Sequence, residues 1–118
     1  SMRYQDQLVR QTQKALDDVC RAALAVPAEK SEWSPGGAAR STLDQMRELA
    51  LAIDWLRPFV AQGAAPEFSE HDRLRLREAS AQLKSVTDCV ESARAQVAVW
   101  CQVISDFPDE RLGDEVVM

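Results

Sequence analysis

The sequence predicts an all-α protein, an antiparallel up-down helical bundle with three long helices. Three observations predict it. Apolar residues recur every three or four positions over three long stretches, turn-forming residues concentrate between those stretches, and no segment survives as a strand candidate. At 118 residues the chain is one domain, 2–118, large enough for a single core.

The first helix is predicted from Tyr4 to about Val26. Its stripe of Leu8, Thr12, Leu16, Val19, Ala23 and Val26 opposes Arg10, Lys14, Asp17 and Arg21, so one face is buried. Pro27 disfavours helix at Val26, and Ser34-Pro35-Gly36-Gly37 is dense in turn chemistry, so residues 27–40 form a connection that Trp33 is expected to pin to the bundle.

Ser41 and Asp44 open the second helix as a capping box, with the Ser41 hydroxyl accepting from an orphan backbone N–H. Its core stripe is Leu43, Met46, Leu49, Ile53, Leu56 and Val60, and Pro58 is expected to bend or end it before Gly63. A second apolar stripe, Leu51, Trp55 and Phe59, lies roughly opposite the first with Glu48 among it, so this helix needs cover on two sides.

After a loop over 61–68, Ser69 and Asp72 repeat the capping pattern. The stripe Leu76, Ala79, Leu83, Val86, Val90, Ala93, Val97, Trp100, Ile104 and Phe107 then alternates steps of three and four without a break, which predicts one long helix ended by Pro108.

Composition narrows the function. The formal net charge of −5 comes from interspersed charges with no basic stripe, which argues against nucleic acid as a partner. No apolar run reaches the ~20 residues that span a bilayer, and the N-terminus lacks signal-peptide order, so the expectation is a cytoplasmic protein without a membrane partner. Cys20, Cys89 and Cys101 form no Cys-x-x-Cys pair and are expected to be reduced, small, buried or half-buried groups.

No catalytic set can be assigned. His71, the single histidine, sits in a predicted first helical turn beside Glu70 and Asp72, where a surface role is expected. Paired-histidine and paired-cysteine zinc signatures are absent, and Gly36-Gly37 lacks the lysine of a phosphate loop. Glu48 is the candidate metal ligand, because a carboxylate on an apolar stripe must be paired, neutralised or bound to a cation. Its alternative is a rim position paired with an arginine. Asp44, one turn away, could add a second oxygen but is explained by its cap.

The segment from Trp33 to Leu56, WSPGGAARSTLDQMRELALAIDWL, resembles the first half of the DinB/YfiT-like bundle family, and FPDERLGDEVV, from Phe107 to Val117, resembles the stretch after that family's third helix. The resemblance implies a four-helix bundle holding a divalent metal, often nickel or zinc, on three histidines, with some members acting as thiol transferases or hydrolases. Two departures stand out. Glu48 occupies the position seven residues after Ser41 where the family has a histidine, and the helix that supplies the other two ligands would lie beyond Met118.

Two functions follow. One is a DinB-like metal-dependent transferase or hydrolase relative with a degenerate or incomplete site, whose cleft at Glu48 takes a divalent ion or small thiol. The other is a non-catalytic homodimeric interaction module that binds no cofactor and mates through Leu51, Trp55 and Phe59.

Overall fold

A computed structural model describes residues 3–63 and 67–113, with the backbone alone described for 57–61. It is all-helical, with no strand among the described residues. The elements are α1 (Tyr4–Leu24), α2 (Thr42–Gln62), α3 (Glu70–Gln82) and α4 (Val86–Asp106), with short 3-10 turns at Ala28–Lys30 and Asp109–Arg111.

α1 forms where expected, and its outer face carries the pairs Lys14–Asp18 and Arg21–Asp17 at i,i+4 spacing. Its buried face is turned slightly from the predicted stripe. Cys20 and Ala23 are buried while Val19 is exposed. The connection is fastened by its serines: Ser31 is buried, and its carbonyl accepts from the Leu43 backbone N–H at 2.9 Å. Trp33 is 67% exposed and does not pin it, which corrects that expectation.

The Ser41 hydroxyl accepts from the Asp44 N–H at 3.1 Å, starting α2 as the sequence predicts. The helix continues past Pro58 to Gln62, and Gly63 takes φ 73°, a left-handed cap that a side chain would resist.

The predicted third long helix is two helices, so the described chain has four in place of three. The continuous stripe concealed a break at Leu83–Ser85. Ser85 adopts extended backbone as an N-cap, and its hydroxyl accepts from the Asp88 N–H at 3.1 Å. The Asp88 carboxylate accepts from the Lys84 N–H at 3.0 Å, satisfying a second donor. The 3–4 spacing survives because Leu83 and Val86 are both buried on the same core, although the backbone between them is not helical.

α4 is the central element, packing against both α1 and α2, and α3 packs on α2. One end of the molecule gathers the end of α1 with the starts of α2 and α4, where Ala23 lines one surface pocket with Met46 and another with Val86. At the other end the buried Gln5 donates to the Phe107 carbonyl at 2.9 Å and to the Asp109 carboxylate. The core between them holds Cys20, Leu43, Met46, Ala50, Leu83, Cys89, Val90 and Ala93. With extents of 49 × 38 × 24 Å, the molecule is only about two helices thick.

Candidate functional site

Asp44, Glu48, Leu51 and Trp55 follow one another at steps of four, three and four, so they share one face of α2. That face looks toward α3. Between the two helices lies an open cleft of about 460 Å³, with Leu51, Ala52 and Trp55 on the α2 side and Leu76 and Ser80 on the α3 side. Phe68, just before the α3 cap, closes one end by packing its ring edge-on against Trp55, with centroids 5.1 Å apart at 75°. Asp54 and Arg75 tie the helices together at 3.0 Å.

The polar end of the cleft is internally paired. Arg40, from the connection, forms an ion pair with Glu48 and donates to the Asp44 carbonyl at 3.2 Å. Arg47 pairs with the Asp44 carboxylate at 3.3 Å and donates from Nε to the Leu83 carbonyl at 2.7 Å. Glu48 thus sits at an exposed rim beside a guanidinium, while Leu51 and Trp55 are half-buried in the cleft. Phe59, the third member of the predicted stripe, has a side chain outside the described residues.

These donors do not fit a divalent metal. Each carboxylate already faces an arginine, whose charge opposes a further cation, and among the described residues no group of three or more His, Cys, Asp or Glu side chains converges. His71 is exposed in the first turn of α3. All three thiols are buried, and burial pushes each thiol pKa up, away from the thiolate that nucleophilic or ligand chemistry needs. What the cleft offers is an apolar floor, an aromatic pair and a rim of both charge signs.

Sequence reasoning placed Glu48, Leu51 and Trp55 together but missed Arg40, Phe68 and the α3 wall. Arg40 lies in irregular chain, where periodicity is silent. Phe68 lies in the irregular chain before α3, where no repeat marks a side chain for the cleft. The α3 wall was hidden because the unbroken stripe assigned Leu76 to the same seam as α4.

Among the described residues no helix is long and apolar enough to cross a membrane. Compared with known proteins, the chain matches no family model, no curated protein and no solved structure.

Proposed function

We propose that this chain is a non-catalytic helical interaction module of antiparallel up-down plan that associates with a second copy of itself through the α2–α3 cleft face. One observation carries the reading: Leu51, Trp55 and Phe68 line an open cleft whose rim charges are already paired with one another. An acid–base site needs a titratable group aimed at its substrate, and here the rim groups neutralise each other. An interface needs aromatic and aliphatic anchors inside a mixed-charge rim, and those are present. Phe68, 53% exposed, leaves an aromatic edge of this cleft open to a partner. A rim carrying both signs is self-complementary under a two-fold axis. We place the module in the cytoplasm, where its thiols stay reduced.

Light scattering over a dilution series tests the association. The wild type is expected to dimerise at tens of micromolar and Trp55→Glu to remain monomeric. A wild-type monomer at every concentration would remove this reading. Stoichiometric nickel or zinc in the purified protein, lost in Glu48→Gln, would replace it with a metal-dependent one.

A further inference from the structure

We propose that the break at Leu83–Ser85 is a hinge through which α4 passes to a second copy of the chain, each α4 completing the core of the other. This goes beyond association at the cleft and does not require it.

The first support is a conflict between local sequence and local structure. Leu76, Ala79, Leu83, Val86 and Val90 keep helical spacing across the break, and residues 83–85 include neither glycine nor proline. A single helix over residues 70–106 is therefore open to this sequence. The break is held by few groups: the Ser85 hydroxyl, the Asp88 carboxylate and the Arg47 guanidinium on the Leu83 carbonyl. In a continuous helix, backbone partners replace them.

The second support is what each half of the hinge buries. No residue of α3 is buried, and α3 keeps its place on its own α2 through Arg75 and Asp54. α4 instead contributes Val86, Cys89, Val90, Ala93, Val97 and Cys101 to the interior. Straightening the hinge lifts α4 off α1 and α2 and bares the groove of Cys20, Leu43 and Ala50. The occupant that fits this groove is another α4. It restores the apolar packing, the Asp17–Arg94 pair at 3.3 Å and the Gln5 hydrogen bond to the Phe107 carbonyl, now between chains. Exchange of this kind adds no new recognition surface except at the hinge, so a small change there shifts the balance.

The test uses the whole chain, unfolded in urea and refolded at micromolar and at several hundred micromolar concentration, with mass read by light scattering and helix content by circular dichroism. Ser85→Ala with Asp88→Ala removes the cap that holds the break. The dimer association constant is expected to rise about fivefold per hinge, hence about 25-fold for a dimer with two hinges. Lys84→Gly weakens the straight helix and is expected to lower it by a similar factor. Both shifts are expected to persist in a Trp55→Glu background, because Trp55 is not among the residues packed against the core that α4 completes. A dimer that ignores the hinge variants but disappears with Trp55→Glu would overturn the exchange and leave the cleft reading standing. Hinge-sensitive dimers indifferent to Trp55→Glu would do the reverse. Monomers throughout, the cap-deleted variant included, would overturn both.

Discussion

Arg47 on α2 donates from Nε to the carbonyl oxygen of Leu83 at 2.7 Å, so one side chain holds the last carbonyl before the turn into α4. Arg47→Met keeps the apolar stem but leaves that carbonyl without this partner. The expected loss is about 1–2 kcal/mol, toward the low end for a charged donor because the side chain keeps contact with water. Urea unfolding measures it, and Arg47→Lys should recover only part, since an ammonium lacks the fixed guanidinium fork. An unchanged midpoint in Arg47→Met would mean that water replaces the bond at no cost.

Gln5 gives a pH-dependent prediction. Its amide donates to the Asp109 carboxylate, and this bond, aided by Arg3, holds the Asp109 carboxyl below its usual value of 3.8. A depressed folded pKa stabilises the fold above the unfolded value, and the stabilisation is lost as pH falls through the folded pKa. Melting temperature should therefore decline below about pH 4. In Gln5→Met the Asp109 part of that decline should shrink, and the variant should be less stable at neutral pH because the Phe107 carbonyl loses its donor. Parallel acid limbs in the two proteins would separate Asp109 from the effect.

Val90 is buried in the second turn of α4, 5% exposed among other core residues. Val90→Asp would place a charge there without a partner and should cost roughly 3–5 kcal/mol, enough to unfold a domain of ordinary stability. Circular dichroism at 25 °C decides it. A native spectrum with an unchanged melting temperature would remove Val90 from the core.

The capping box at Ser69 and Asp72 should act locally. Ser69 accepts from the Asp72 N–H, and Asp72 accepts from the Ser69 N–H. Ser69→Ala should weaken the start of α3 by about 1 kcal/mol. Since α3 contributes no buried residue, faster amide exchange over its first two turns is expected with little change in global melting. A large drop in melting temperature would mean that α3 is integral to the cooperative core.

Much of the architecture was legible because it rests on patterns that reach no further than one helix. The starts of α2 and α3 were written in Ser41–Asp44 and Ser69–Asp72, and both serine hydroxyls accept the expected backbone N–H. The same signal stands at Ser85–Asp88, but it is embedded in an apolar stripe whose period runs on through the break. Periodicity records which residues are buried, not whether the backbone between them is helical. The cleft was half legible for a related reason. Leu51 and Trp55 announced an uncovered face, whereas its other wall depends on α3 folding back, and the arginine beside Glu48 comes from a connection with no repeat to read.

The central place of α4 sets an order of events during synthesis. The two helices that flank it, α1 and α2, come earlier in the chain, so both leave the ribosome before the surface they pack against exists. At translation rates of ~5–20 residues per second the interval lasts roughly several seconds, and throughout it Cys20, Leu43 and Met46 face solvent or each other. The nascent chain therefore offers a hydrophobic target to chaperones for as long as α3 and α4 are being made. Slowing translation by rare codons within α3 should lengthen that exposure and lower the soluble yield without altering a single residue.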